Sequence, residues 1–331
     1  MHILHEKSPC CGAHIRRFGK RRRQCKTCKR TWSAWKKKTG RKSLRPVFRA
    51  ITTYVQNDSI GIVRQAEKKK ICAAAYSARI RRTLTPYLLR MPWPTVPPGP
   101  LILITDAFIQ HIAGGIWTVY LFLVRPIQSQ KAFILPPYIR YGKEHVHGGW
   151  THALDSLSQE VKERIVAMVS DGAREACVYA KRQGWLVQRC QFHIKMSIAN
   201  YVTPGPLSRH KDLAQCIYPL IYTVLYSTEE KEVASSIVAL QDMLPGVRSR
   251  KLKKVLSGFT KNYQDYRTYI RVPQYNLPIT SNSAEAWVRD IRTLLSRSRG
   301  FRTTASFQKW LEALCKNKKS IMCRGGKNQQ H

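Results

Sequence analysis

Acidic residues are scarce. The 331-residue chain holds 19 aspartates and glutamates against 58 lysines and arginines, a formal net charge of +39. Such a surplus repels itself at low ionic strength unless a polyanion is near. Phosphates that give up their counterions to lysine and arginine are the natural partner. Long apolar runs are also missing. The longest, Gly115 to Val124, has ten residues, about half of what a membrane-crossing helix needs. The first residues, including His2, His5 and Glu6, contain no apolar signal core, so no secretory leader is expected. No internal repeat is present. Hydrophobic residues nonetheless make up 43% of the chain, enough for a real core, which excludes a disordered basic tail. Ten cysteines in a chain for which no secretory leader is expected point to metal ligation and free thiols rather than a disulfide framework.

The positive charge is uneven. Residues 1–90 carry 25 of the basic residues and 3 of the acidic ones. Between Pro92 and Pro100 lie five prolines in nine residues, which can neither continue a helix nor sit in a central strand. The expectation is a basic front, residues 1–40 and 41–91, joined by a stiff linker over 92–100 to a body over 101–315. A polar tail, 316–331, is expected to fray.

In the first segment Cys10-Cys11-Gly12 and Cys25-Lys26-Thr27-Cys28 bracket an arginine-rich, hairpin-like stretch from Ile15 to Gln24. Two thiolate pairs so spaced can close a tetrahedral zinc site, and the ion supplies folding energy that so short a segment lacks. The second pair has the usual two-residue spacer. In the first pair the cysteines are adjacent, and Ser8 stands where a C-x-x-C spacing would put a cysteine. Adjacent cysteines seldom both face one ion, so the fourth ligand stays open, with His5 and His14 as alternatives.

From Ser43 to Leu89 the pattern is helical. Val47, Ile51, Tyr54 and Val55 recur at helix spacing, and Asn57-Asp58-Ser59 ends one helix and caps the next. A second helix is expected over Ser59 to Lys70. A third, over Ala73 to Leu84, carries Arg79, Arg81 and Arg82. Short helices with a tight connection and a basic final member suggest a helix-turn-helix that reads DNA in the major groove. A plain three-helix bundle with a basic face would still bind phosphates.

The body begins with Leu101 to Asp106, an apolar strand ending on an aspartate. Ile116 to Val124 and Lys131 to Ile139 can add two antiparallel strands. Trp150 to Lys162 is expected to cross over as a helix. Ile165 to Ser170 is a buried strand that again stops at an acid, Asp171. A helix over Ala173 to Arg182 and a strand over Trp185 to Arg189 follow. That order is the order of a ribonuclease-H-like α/β fold. In such a sheet the first and fourth strands are neighbours, so Asp106 and Asp171 could face one another. Paired carboxylates repel unless divalent cations lie between them, and magnesium or manganese so held activates phosphodiester chemistry. Ser281 or Asn282 can cap a helix over Ala284 to Leu295 that carries Glu285 in its first turn. Arg289, Arg292, Arg297, Arg299 and Arg302 follow on or after it, suited to DNA. Asp290 and Glu144 are rival third acids.

Three segments carry a resemblance: Val169-Ser170-Asp171-Gly172-Ala173, Arg189-Cys190-Gln191-Phe192-His193 and Thr280-Ser281-Asn282-Ser283-Ala284-Glu285. Together they resemble the DDE transposases of bacterial insertion sequences and their Mutator-like relatives, over about Leu101 to Leu314. The front is similar to the zinc ribbon and helix-turn-helix of such proteins. The resemblance implies a catalytic triad of Asp106, Asp171 and Glu285 holding two Mg2+ or Mn2+ ions. It also implies cleavage at transposon terminal inverted repeats to leave a 3′-hydroxyl, which then attacks target DNA. A homodimer or higher assembly would pair the two ends, in the bacterial cytoplasm at the nucleoid. Cys190 and His193 match the family's C-x-x-H pair beside the site. The irregular first cysteine pair and the 114 residues separating Asp171 from Glu285 depart from the pattern. A helical insertion over about 207–271 accommodates the spacing. Two rival functions remain at this level: a catalytically inactive DNA-binding regulator, and a general ribonuclease-H-like nuclease.

Overall fold

A computed structural model describes residues 7–8, 10–18, 22–33, 45–55, 62–144, 146, 148–202, 211–297, 301 and 303–323. His5, the Asn57-Asp58-Ser59 cap, Arg299 and Arg302 lie outside them. The chain divides into two compact units, residues 1–46 and 47–331.

The first unit is a three-stranded antiparallel sheet of β1 (Ile15–Phe18), β2 (Arg22–Cys25) and β3 (Thr31–Ser33). Ile15 pairs with Cys25, and Arg23 with Trp32. It has almost nothing apolar to bury, since Cys25 is its one fully enclosed hydrophobic residue among those described. Gln24 holds the sheet through polar contacts, accepting from Arg16 at 2.7 Å and donating to the Lys29 carbonyl at 2.9 Å.

The second unit opens with helices α1 (Arg45–Val55), α2 (Ile62–Lys68) and α3 (Ala73–Arg90). Val47, Ile51, Tyr54 and Val55 are all buried, as the helical spacing requires. The third helix outruns the expected end at Leu84, continuing past Pro86, and buries Leu84, Tyr87 and Leu88. Those side chains have a partner: the last helix among the described residues. Tyr54 meets the Trp310 ring edge-on at 4.9 Å, and Lys316 Nζ donates to the Leu88 carbonyl at 3.0 Å. The expected division at the prolines is therefore corrected. The front helices share one hydrophobic core with the body, and the linker between them is tied down by Arg164, which donates to the Pro97 and Gly99 carbonyls.

The body is a mixed α/β structure on a seven-stranded sheet. Its strands are β4 (Leu101–Ile112), β5 (Gly115–Pro126), β6 (Lys131–Ile134), β7 (Tyr138–Tyr141), β8 (Ile165–Ser170), β9 (Leu186–Arg189) and β10 (Ser320–Met322). The order is β10-β6-β5-β4-β8-β9, with β7 beside the other half of β5. The β4–β5 hairpin turns on Ala113 and Gly114, both at positive φ, the geometry that matches strand twist in a two-residue loop. β4, β8 and β9 run parallel. Both faces of the parallel part are covered, so its strands are apolar without alternation. Ile102, Ile104, Ala167 and Val169 face the C-terminal helices, while Leu101, Leu103 and Met168 face the opposite layer. Each large side chain so buried contributes about 1.5–3 kcal/mol before chain entropy is counted.

Three element boundaries differ from expectation. β4 does not stop at Asp106 but continues to Ile112, because β5 pairs with it along its whole length. The third strand breaks into β6 and β7 at Leu135-Pro136-Pro137, where proline offers no ladder donor. The crossover is two short helices, α4 (Gly149–Asp155) and α5 (Gln159–Arg164), the second capped by Ser158. The helices α6 (Arg174–Arg182) and α7 (Gln191–Val202) flank β9.

The insertion comprises α8 (Lys211–Tyr226), α9 (Glu230–Met243), α10 (Arg250–Tyr266) and α11 (Thr268–Arg271), and residues 203–210 are outside the described set. It has its own core, rooted on Ile194, Ile198 and Tyr201 of α7. Gln188 and Gln191 both donate to the Tyr266 carbonyl at 3.0 Å, fastening it back to β9. Then come α12 (Asn282–Arg297) and α13 (Thr304–Lys318). Of the tail expected to fray, 316–331, residues 324–331 lie outside the described set. Residues 316–318 complete α13, and β10 pairs with β6, Ile321 opposite Ala132. Among the described residues no helix is long and apolar enough to cross a membrane.

Candidate active site

Asp106 lies where β4 outruns β8. The last parallel pair is Ile104 with Val169, and continuing that register by two residues sets Asp106 beside Asp171. Neighbouring strands stand about 5 Å apart, so the two acids share one end of the ladder. Asp106 Oδ1 accepts the Ala107 N–H at 2.8 Å. Its carboxyl is nevertheless pushed up to about 7, first by burial, then by the charges of Asp171 and Glu285; the Ala107 bond and His193 oppose the rise.

Asp171 is the first residue after β8. Its Oδ1 accepts the Ala173 N–H at 3.0 Å, which fixes the turn into α6. Gly172 follows at φ +98°, and a Cβ there would meet the Arg189 side chain at 3.3 Å, so glycine suits both the backbone and the space.

Glu285 comes from far along the chain, in the first turn of α12. The Ser281 hydroxyl donates to its Oε1 at 3.2 Å, and the Ser281 carbonyl accepts the Ala284 and Glu285 N–H groups. Two ties fix this segment to β9 and α7: Gln191 N donates to the Ile279 carbonyl at 2.9 Å, and Ser281 N to Cys190 Sγ at 3.3 Å. Buried Arg125 of β5 donates to the Tyr275 and Asn276 carbonyls just upstream. Neither Ser281 nor Arg125 was identified from sequence as part of the site. The Ser281-to-Glu285 spacing of one helical turn was a usable signal; nothing in the Arg125 context was.

Cys190 and His193 lie at the start of α7, three residues apart and so on one face. His193 Nδ1 is 3.7 Å from Glu285 Oε1. The imidazole is pushed up to about 9, first by its contact with the Cys190 sulfur, with Glu285 and Asp171 adding and burial opposing. Burial pushes the Cys190 thiol up, but His193 and Ser281 outweigh it and hold it below the usual value.

A cleft of about 640 Å³ is lined by Asp106, His193, Glu285, Arg289, Arg292 and Thr293; Asp171 and Cys190 are not among its lining residues. Arg289 and Arg292 sit one and two turns beyond Glu285 on the same helix face, both exposed, and the Arg292 guanidinium rests 5.7 Å from the Phe108 ring centre. The rival acids are elsewhere. Glu144 accepts from Trp150 Nε1 at 3.0 Å, and Asp290 pairs with Lys318 at 3.3 Å. The side chain of Arg297 is not among those described. Arg79, Arg81 and Arg82 are exposed on α3.

In the first unit Cys10, Cys11, Cys25 and Cys28 converge, their sulfurs all within 4.8 Å of one another, and could hold a metal ion such as zinc. The doubt over adjacent cysteines is corrected. A tight turn with Gly12 at φ +68°, closed by Gly12 N to the Ser8 carbonyl at 3.0 Å, puts both sulfurs on one side, 3.9 Å apart. The side chain of His14 does not join them; its backbone bridges to Lys7. The Cys25 thiol is pushed down to about 5, first by hydrogen bonding with Ser8 and then by the Cys28 N–H. The Cys28 thiol moves the other way, up to about 11: the Arg30 N–H lowers it, but its contacts with the Cys10, Cys25 and Cys11 sulfurs and its burial outweigh that, so the four thiols do not share one acidity.

No protein-family model matches the chain, and a search of the curated proteins finds no match.

Proposed function

We propose that the protein is a DDE-type DNA transposase that cuts transposon ends and joins them to target DNA with two divalent metal ions. One observation carries this reading: Asp106 and Glu285, 179 residues apart in the chain, line a single cleft rimmed by arginine, and the charges of Glu285 and of Asp171 both act on the Asp106 carboxyl. The strand order β6-β5-β4-β8-β9, antiparallel then parallel, supports a ribonuclease-H-like core.

The donor set fits magnesium or manganese. It consists of carboxylate oxygens, and burial together with the charges of Asp171 and Glu285 raises Asp106, a cost that bound cations would offset. Asp106, Asp171 and Glu285 would hold the ions. Bound there, the ions supply the Lewis acidity that makes water, and later a DNA 3′-hydroxyl, nucleophilic toward a phosphodiester. The remaining work falls to the chain's own groups. Arg289 and Arg292 grip the phosphates on either side of the scissile bond, which positions it without reading sequence. His193, cationic at neutral pH, places a proton at Nδ1 or Nε2 inside the cleft, where it can donate to a phosphate oxygen. Ser281 holds the Glu285 carboxylate in place.

The same reading makes residues 1–46 a zinc ribbon, with the four cysteines as ligands, and gives α1 to α3 the helix-turn-helix role, with Arg79, Arg81 and Arg82 on the inverted repeat. Two ends must be paired, which calls for at least a dimer working at bacterial DNA in the cytoplasm.

The test uses duplexes spanning both flanks of the protein's own coding sequence, with Mg2+. Asp106→Asn, Asp171→Asn and Glu285→Gln should each lower cleavage on the order of 10³-fold, about 4 kcal/mol of barrier, with DNA affinity retained. Joined strand-transfer products separate a transposase from a general nuclease. Binding without any cutting by the wild-type chain would leave a regulator.

A further inference from the structure

Cys190, His193 and Glu285 form a second metal-competent group, in which the transposase reading gives Cys190 no role and assigns Glu285 and His193 other ones. Their ligand atoms all lie within 4.8 Å of one another. A tetrahedral ion bound by sulfur, nitrogen and oxygen holds its ligand atoms roughly 3.3–3.6 Å apart. The 3.7 Å between His193 Nδ1 and Glu285 Oε1 is already close to that edge. Nδ1 is buried, faces the other two groups and makes no hydrogen bond of ordinary geometry, an unusual state for an enclosed ring nitrogen.

The group is also built rather than accidental. Cys190 is fully enclosed, and its sulfur is aimed by the Ser281 N–H at 3.3 Å. The Ser281 hydroxyl aims Glu285, so one residue orients two of the three ligands from outside. The fourth direction is free to open into the cleft that His193 and Glu285 line, the arrangement of three protein ligands plus an exchangeable position.

Sulfur and imidazole select against magnesium, which wants oxygen, and favour borderline and soft ions. We propose that Cys190, His193 and Glu285 bind a thiophilic divalent cation of the zinc, cobalt or cadmium class. Such an ion takes Glu285 Oε1 as a ligand. On the transposase reading, from which this consequence follows, it withdraws the third acid from the Mg2+ pair and holds the site inactive until removed.

The binding itself is tested without DNA or cleavage, so its failure and that of the transposase reading are separable. The full-length chain, freed of metal under reducing conditions, is titrated with Co2+ in magnesium-free buffer. Two equivalents should bind per chain, with thiolate-to-cobalt charge-transfer absorption. Cys25→Ser with Cys28→Ser should leave one equivalent with the weaker absorption of a single thiolate. In that background Cys190→Ser should abolish the charge-transfer band. His193→Ala, at a position partly exposed and so less able to disturb folding, should weaken cobalt binding at least about tenfold. Circular dichroism of the knuckle variant and of its Cys190→Ser and His193→Ala derivatives should coincide, so cobalt uptake is compared at constant fold. A knuckle variant that takes up no cobalt, or whose uptake is unchanged by Cys190→Ser and His193→Ala, overturns the proposal.

Discussion

Replacing Asp106 with asparagine should stabilise the metal-free protein at alkaline pH, although it abolishes the proposed chemistry. The Asp106 carboxyl titrates at about 7 in the fold against 3.8 ordinarily. The folded state therefore binds the proton more tightly than the unfolded chain. Stability from this group is fully present below pH 3.8 and is lost as pH rises through 7. Three pH units correspond to about 4 kcal/mol as an upper bound. Asp106 borders an open cleft where water and salt screen it, so roughly 1–3 kcal/mol is the working figure. For a domain of this size each kcal/mol moves the melting temperature by about 2–4 °C. Thermal unfolding in chelator should show Asp106→Asn gaining on the wild type from pH 4 to 7 and levelling above. His193, raised to about 9, adds a loss of the same sign over pH 6.5 to 9, and it is common to both proteins. Mn2+ at 100 times its Kd should then raise the wild type by about 2.7 kcal/mol and leave the variant nearly unmoved. A variant no more stable than wild type at pH 8.5 in chelator, or one that gains equally from Mn2+, would refute the assignment of Asp106 to a crowded carboxylate site.

Three further outcomes are expected. Cys25→Ser with Cys28→Ser should lower bound zinc by one per chain and unfold the 1–46 unit, read by metal content after dialysis and by DNA-end affinity; a zinc content unchanged from wild type would count against the cluster. Arg289→Ala and Arg292→Ala should each weaken DNA binding and lower the slope of log affinity against log salt by about one, measured by fluorescence anisotropy, and an unchanged slope would remove them from the phosphate contacts. Trp310→Ala should cost about 3–5 kcal/mol and lower the melting of α1 to α3 and the body together, whereas a separate early transition for the front helices would mean they fold alone.

The acids that come together were easier to read from sequence than the packing. Asp106 and Asp171 stood out because each follows an apolar run whose side chains have nowhere to go but a sheet, and a polar group at such a place is costly without a purpose. The helix carrying Glu285 was visible through its cap and its arginines. The prolines at 92–100 misled because a stiff segment reads as a boundary, yet chain stiffness says nothing about what lies on either side. The apolar stripe of α1 and α3, including Ile51, Tyr54, Leu84 and Leu88, exceeds what three short helices can cover, and Trp310 and Leu314 of α13 complete it. Ser320-Ile321-Met322 is too short to announce a strand and forms one only because the β6 edge is there to receive it. Cys10 and Cys11 defeated the spacing rule because a glycine turn can bring neighbouring side chains to one side. The coupling of Glu285 to Cys190 and His193 needed the 91 residues between His193 and Glu285 to be folded away.

The most direct test is to crystallise the full-length chain with Mn2+ and locate the ions by anomalous scattering. Two peaks should lie between Asp106, Asp171 and Glu285, with all three carboxylates as ligands. Manganese bound elsewhere, or at this end of the sheet with any of the three acids turned away, would contradict the assignment.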